Sequence, residues 1–326
     1  MAKTIVVTGA AGFIGRNTVA ALNVLGEDNL LLVDNLGTDE KWRNLLGLRF
    51  EDLISPDEFL SRMSGEADLP EIDAIIHLGA CSATTERNAD FLLRNNYHYT
   101  RKLCEWSLAL GIRFVYASSA ATYGDGTRGY SDDDAITPTL RPLNMYGYSK
   151  QLFDLWALKH RLFDRIVGLK YFNVFGPFED HKADMRSVVQ KSFHQIRETG
   201  EVSLFKSYKP DFGDGEQMRD FIYVKDAVEV TLHFLSARQG GGLFNCGTGH
   251  ARTWKDLATA VFAALGLPPK IKFIEMPQTL RSKYQYYTQA DISKLRRAGY
   301  SRPFTGLEGA VGDYVRSYLN ADPKPV

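Results

Sequence analysis

The chain has 326 residues, enough for one large domain or two closely joined ones. Its 39 basic residues cancel its 39 acidic ones, so no global field favours nucleic acid or an anionic membrane, and any phosphate must be captured by local groups. No apolar stretch approaches the ~20 residues that span a bilayer, and three scattered cysteines form neither a disulfide framework nor a metal knuckle.

The chain opens on an apolar run at 4–7, which predicts a buried parallel strand, and residues 13–25 carry helical apolar spacing. Between them lies Gly9-Ala-Ala-Gly12-Phe-Ile-Gly15. Gly9 permits a tight turn, Gly12 lets a pyrophosphate approach the backbone, and Gly15 lets helix and strand pack closely. The helix start offers unpaired N–H groups to phosphates. A second strand at 30–33 ends at Asp34, spaced to hold a ribose hydroxyl. Strands at 74–78, 114–117 and 166–171 alternate with helices at 91–110 and 146–161, which predicts a doubly wound parallel α/β sheet of Rossmann type. The expected dinucleotide-binding domain is 1–175, with a return segment near 219–247.

After Pro177 the texture changes. A helix at 185–199 precedes a short strand and a Gly/Asp/Lys-rich stretch at 206–217. A strand at 221–224, a helix at 226–237 and a strand at 243–246 follow, then helices near 254–265 and 290–297. Residues 176–218 and 248–326 are the expected smaller α/β substrate lid, and 321–326 a frayed tail. Asp226 is expected to cap the helix that follows it. The N-terminus enters a strand with no leader-like segment, so the expected location is cytoplasmic. No His/Cys spacing suits a metal, and none is expected.

Tyr146-Gly-Tyr-Ser-Lys150 sets Tyr146 and Lys150 on one helical face, with Tyr148 out of phase. A phenol is a weak base at neutral pH, and a nearby ammonium lowers its pKa by stabilising the phenolate. Upstream, Tyr116-Ala-Ser-Ser-Ala-Ala-Thr-Tyr-Gly124 follows a strand, at whose C-terminal end hydroxyls face the ligand crevice. Ser119 is the candidate to hold a substrate oxygen, with Ser118 and Thr122 as lesser ones.

These elements, with Asn173-Val-Phe-Gly-Pro177 and Arg219-Asp-Phe-Ile-Tyr-Val-Lys-Asp226, resemble the extended short-chain dehydrogenase/reductase family acting on nucleotide sugars. Leu78-Gly-Ala-Cys-Ser-Ala-Thr-Thr-Glu86, Glu179-Asp-His-Lys182 with Met185, and Tyr284-Gln-Tyr-Tyr-Thr-Gln-Ala-Asp291 are similar to its heptose-epimerising branch. The resemblance implies epimerisation of an ADP-heptose at the exocyclic C6″ through a transient ketone, and a homo-oligomer, a pentamer if the branch is followed. It implies a nicotinamide cofactor held by Gly9, Gly12, Phe13, Ile14, Gly15, Asp34, Asn35, Lys41, Leu78, Gly79, Ala80, Cys81, Ser82, Asn95, Lys150 and Val174. The substrate would meet Ser82, Asn173, Lys182, Phe205, Arg219 and Tyr284, with the Arg219 fork on the diphosphate.

Returning hydride to the opposite face of the ketone calls for a second acid/base, and the resemblance nominates Lys182. By residue type alone Lys182 serves equally as a surface or phosphate-binding lysine. Asp184 and Lys191 depart from the branch's pattern. Asp34 repels a 2′-phosphate and favours NAD, whereas Lys41 and Arg43 offer compensation and the branch favours NADP; NADP, one tightly held per subunit, is the expected cofactor and NAD the alternative. A 4,6-dehydratase would need an Asp-Glu pair where Ala120 and Ala121 stand. A UDP-hexose 4-epimerase and a non-catalytic cofactor-sensing protein are the remaining alternatives.

Overall fold

The computed structural model describes residues 3–237, 240–281 and 284–321. Of the expected tail, residues 322–326 lie outside the described residues. The strands are β1 Thr4–Thr8, β2 Leu30–Val33, β3 Asp52–Ile54, β4 Ile72–His77, β5 Arg113–Ser119, β6 Val167–Tyr171, β7 Asn173–Phe175, β8 Val202–Phe205, β9 Met218–Tyr223, β10 Gly242–Cys246, β11 Ala251–Thr253 and β12 Ile271–Ile274. The helices that matter for the site are α1 Phe13–Val24, α2 Pro56–Met63, α3 Ala89–Leu92, α4 Tyr99–Ala109, α5 Met145–Lys159, α6 Val188–Thr199, α7 Val224–Ser236 and α8 Trp254–Ala264.

Seven strands form one parallel sheet in the order β10-β6-β5-β4-β1-β2-β3. β1 and β10 are buried along their whole length, as strands covered on both faces must be, which explains the apolar stretches at 5–7 and 243–244. The chain winds one way from β1 to β3 and the other from β4 onward. The order therefore reverses between β1 and β4, and ligand crevices open there, beyond the C-terminal strand ends. One face of the sheet packs Leu103, Phe114, Phe153 and Phe163 from the α4 and α5 side. The opposite face buries Val19 and Leu22 of α1 against Val7, Leu30 and Leu32.

Two small sheets lie outside the main one, in the orders β11-β9-β7 and β12-β8. They share a core in which Val189 and Phe193 of α6 meet Leu257 and Val261 of α8 and Val311 of the helix Leu307–Tyr314. The expected helix at 91–110 is continuous but has an internal π turn, Leu93–His98, between α3 and α4. The expected strand at 221–224 runs from Met218 to Tyr223 and pairs in the small sheet, while β10 alone of that stretch returns to the main sheet.

Asp226 does not cap α7. The N-cap is Tyr223, with no side-chain cap bond, and the Asp226 carboxylate instead accepts from the Thr305 backbone N–H and hydroxyl at 2.8 and 2.9 Å. Its position inside the first turn leaves it free to tie the approach to the final helix.

Candidate active site

The turn between β1 and α1 is built from three glycines, each for a steric reason. Gly9 has φ +68°, and a Cβ there would lie 2.6 Å from the Gly79 nitrogen at the end of β4. A Cβ on Gly15 would lie 2.0 Å from the Gly9 carbonyl oxygen. At Gly12, the α1 N-cap, a Cβ would meet only that carbonyl at 3.0 Å, and no side chain caps the helix. The first-turn N–H groups therefore face the crevice, a cradle suited to an anionic pyrophosphate.

Asp34 clamps this turn from β2. Its Oδ2 accepts the Ala11 N–H at 2.8 Å, and its Oδ1 accepts the Asn35 N–H at 2.8 Å and Lys41 Nζ at 2.6 Å. Lys41 thus compensates Asp34 directly. Arg43 does not join it: the Arg43 guanidinium pairs with Glu40 and lies over the Trp42 ring on the exposed side of the turn.

One cavity of about 640 Å³ opens at the strand-order reversal. It is lined by Gly9, Gly12, Phe13, Ile14, Gly15, Asp34, Lys41, Leu78, Gly79, Ala80, Cys81, Ser82, Lys150 and Val174, together with Ser119, Tyr146 and Lys182. Asn35 and Asn95 line an adjoining cavity of about 190 Å³ that shares Asp34, Lys41 and Gly79. Residues spread from 9 to 182 therefore meet in one crevice. The shaped backbone cradle, the carboxylate at the end of β2 and the uninterrupted cavity together fit a dinucleotide.

The α5 helix carries the Tyr/Lys pair and is started by Asn144, whose Oδ1 accepts the Gly147 N–H at 2.8 Å. Lys150 Nζ donates to the Ala117 carbonyl at the end of β5, 2.8 Å away. Burial draws its pKa down to about 8, against the attraction of Asp154. Burial is the leading influence on the Tyr146 phenol and lifts its pKa above the ordinary value. Ser119 acts on the hydroxyl in the lowering direction but is outweighed, and Cys81 acts in the raising one.

Ser119 Oγ accepts the Ala121 N–H at 3.1 Å and faces Tyr146. The two lesser hydroxyls belong to a buried network. Ser118 Oγ donates to Asp154 Oδ2 at 2.7 Å, and Thr122 Oγ1 accepts from Lys170 Nζ at 2.7 Å. They brace the strand end and its turn.

Lys182 enters the cavity from the turn Asp180–Met185, with Nζ 5.0 Å from the Phe13 ring centroid. Burial lowers its pKa; Glu179 opposes this and Lys191 adds to it. Glu179 is fully buried and accepts the Ser187 N–H at 2.7 Å and the Tyr314 hydroxyl at 3.2 Å, which anchors the turn. Lys191 Nζ donates to the Asp184 carbonyl at 2.6 Å, so these two departures from the expected pattern contact each other.

Of the other expected substrate residues, Ser82 lines the cavity, whereas Phe205, Arg219 and Tyr284 gather elsewhere. Arg219 lies 5.2 Å from the Tyr284 ring and 5.6 Å from that of Trp254, and Nη2 donates to the Gln285 carbonyl. Trp254 Nε1 donates to the Tyr284 hydroxyl at 2.9 Å, and the Phe205 ring is 6.4 Å from that of Tyr284. Asn173 is exposed beside Val174.

Asn96 escaped the sequence reading. Its side chain exchanges two bonds of 2.9 Å with the Cys81 backbone and donates to Ser149 Oγ at 3.0 Å, which in turn donates to the Tyr146 carbonyl at 2.7 Å. The loop after β4 is thereby tied to α5. The Asn95-Asn96 doublet was the available signal; the π turn that aims Asn96 inward was not visible. Among the described residues, no group of three or more His, Cys, Asp or Glu side chains is placed to hold a metal, and no helix is long and apolar enough to cross a membrane.

Residues 5–247 match the model of the NAD dependent epimerase/dehydratase family. The chain is 56% identical to an ADP-L-glycero-D-manno-heptose-6-epimerase of Nitratidesulfovibrio vulgaris, over 98% of this chain and 99% of that one. The solved structure of ADP-L-glycero-D-manno-heptose-6-epimerase from Helicobacter pylori superposes with a TM-score of 0.82 at 26% identity, covering 98% of this chain and 97% of the other. A UDP-glucose 4-epimerase of Thermus thermophilus, solved as a complex with NAD, gives a TM-score of 0.76 at 25% identity, with 98% and 100% covered.

Proposed function

The chain belongs to the NAD dependent epimerase/dehydratase family, and from that membership we propose that it converts ADP-D-glycero-D-manno-heptose into ADP-L-glycero-D-manno-heptose. The observation that carries this is that Tyr146 and Lys182, from unrelated elements, line the same cavity as the glycine turn.

A nicotinamide ring bound there supplies a hydride acceptor and then a donor. Tyr146, ionised under the combined positive charge of Lys150 and an oxidised nicotinamide, would take the proton of the 6″ hydroxyl while Ser119 holds the same oxygen, which frees the substrate carbon to lose hydride. The resulting ketone is attached through an exocyclic bond, so its oxygen and its terminal hydroxymethyl exchange places by rotation. Lys182 then protonates the oxygen in the second pose. Partial desolvation suits a lysine to this task by lowering its pKa toward neutrality, so that it gives up its proton more readily. Lys150 would hold the cofactor ribose, and the glycine turn the pyrophosphate.

NADP is the favoured cofactor, because Lys41 already neutralises the Asp34 carboxylate that would otherwise repel a 2′-phosphate. Arg219, with Phe205 and Tyr284, is assigned to the nucleotide of the substrate, on a lid made of 176–218 and 248–326. The product would supply lipopolysaccharide core heptose, from a cytoplasmic enzyme.

Incubating the protein with ADP-D-glycero-D-manno-heptose, without added reductant, and recording product NMR tests the assignment. An equilibrium mixture inverted only at C6″ is expected. Inversion of a UDP-hexose at C4″ with the heptose left untouched would reassign the protein to the hexose epimerases.

A further inference from the structure

His181 has no role in the chemistry above, yet it lines the same cavity as Gly12, Lys41 and Lys182. Its placement is built from both sides. Asn17 on α1 donates to the Pro177 carbonyl at 3.1 Å, and the Arg16 guanidinium lies 3.6 Å from the Phe178 ring. Asn44, buried beside Lys41 in the turn after β2, donates one side-chain N–H to the Ala11 carbonyl of the glycine turn at 2.9 Å, which leaves its second N–H for the residues after Pro177.

The same Asn44 amide lies 3.1 Å from His181 Nδ1. An amide N–H can only donate, so Nδ1 accepts and the proton of the neutral ring sits on Nε2. Lys41 and Lys182 act on the ring as nearby cations, with Asp39 and Asp180 as the opposing charges. A ring whose free N–H is on Nε2 therefore lines the cavity, under the influence of two ammonium groups and one bridge away from the backbone cradle.

We propose that His181 is a phosphate ligand of the bound dinucleotide, donating from Nε2 and held in that tautomer by Asn44. The proposal rests on the dinucleotide-binding part of the function above. Phosphate is common to the pyrophosphate and to a 2′-phosphate, and the two are separable by ligand. An anion accepting from His181 forms a charge-assisted bond, worth roughly 1.5–3 kcal/mol, or about 10- to 100-fold in affinity.

Tryptophan-fluorescence titration of the full chain with NADP+ and with NAD+ gives the test, applied to the wild type, His181→Ala and His181→Gln. His181→Ala should weaken binding about 10-fold or more. His181→Gln, whose amide reaches the Nε2 position, should recover most of that loss. Loss for NADP+ alone assigns the 2′-phosphate, and equal loss for both assigns the pyrophosphate. Unchanged affinity in His181→Ala, or a glutamine variant as weak as the alanine one, would overturn the proposal while leaving the epimerase assignment intact. A wild-type chain that bound neither nucleotide would overturn both.

Discussion

Lys170 Nζ lies 2.9 Å from Asp154 Oδ2, with both side chains wholly buried beneath the catalytic helix. Asp154 also accepts the Tyr116 hydroxyl and Ser118 Oγ, each at 2.7 Å, so one carboxylate joins β5, β6 and α5. Asp154→Asn would leave the Lys170 charge uncompensated, and breaking such a pair costs about 3–5 kcal/mol. Denaturant melts should show that loss for the single variant. The apolar double variant Asp154→Leu/Lys170→Met should lose less, because no charge remains stranded.

Tyr146→Phe keeps the ring and its packing and removes the proton-transfer group. Turnover should fall by roughly 10²–10⁴-fold, with nucleotide affinity nearly unchanged. Steady-state rates beside fluorescence titrations would show it, and a rate within a few-fold of wild type would remove Tyr146 from the chemistry.

Lys150 titrates at about 8 in the fold, below the 10.5 of an unperturbed lysine. Between those values the unfolded chain binds more protons, so the Lys150 contribution to stability rises with pH across that window. Below pH 8 the cost of the buried charge is fully present. Lys150→Met should therefore stabilise the nucleotide-free protein near neutral pH by on the order of 2 kcal/mol, after ~1 kcal/mol is lost at the Ala117 carbonyl. Melting curves across pH 7–10.5 should show this advantage shrinking as pH rises, while cofactor retention worsens.

Lys41 Nζ compensates Asp34 at 2.6 Å. Lys41→Ala should lower the NADP/NAD affinity ratio, by roughly 5- to 10-fold for one partly screened charge. Paired titrations measure it, and an unchanged ratio would mean that the compensation comes from elsewhere.

The parts of the site that the sequence reveals are those whose signals are local. The three glycines, Asp34 at a strand end and the Tyr146/Lys150 helical spacing each depend on a few neighbouring residues. The main parallel sheet was legible for the same reason, since strands such as β1 and β2 are built on short apolar runs. Residues 38–73 were not, because β3 is three residues long and only its last, Ile54, is buried. The small sheets arise from pairings such as Val202 with Ile271, which no local pattern announces. Asp226 shows the limit of a local reading: its place at the start of a helix suggests a cap, yet its carboxylate is claimed by Thr305, far along the chain. Lys182 and Tyr146 line the same cavity, but the lowered pKa of Lys182 follows from its burial, with Glu179 opposing and Lys191 adding, and that burial only the fold reveals.

The two-base inversion is tested most directly by Lys182→Met, which keeps the apolar stem and removes the second acid/base. Full epimerisation of the ADP-heptose should be compared with dismutation of a 6″-aldehyde analogue, which needs only one pose. Epimerisation should fall by about 10²-fold or more while dismutation through Tyr146 persists. Normal epimerisation by Lys182→Met would contradict a second base at Lys182 and leave Tyr146 or water to serve both faces.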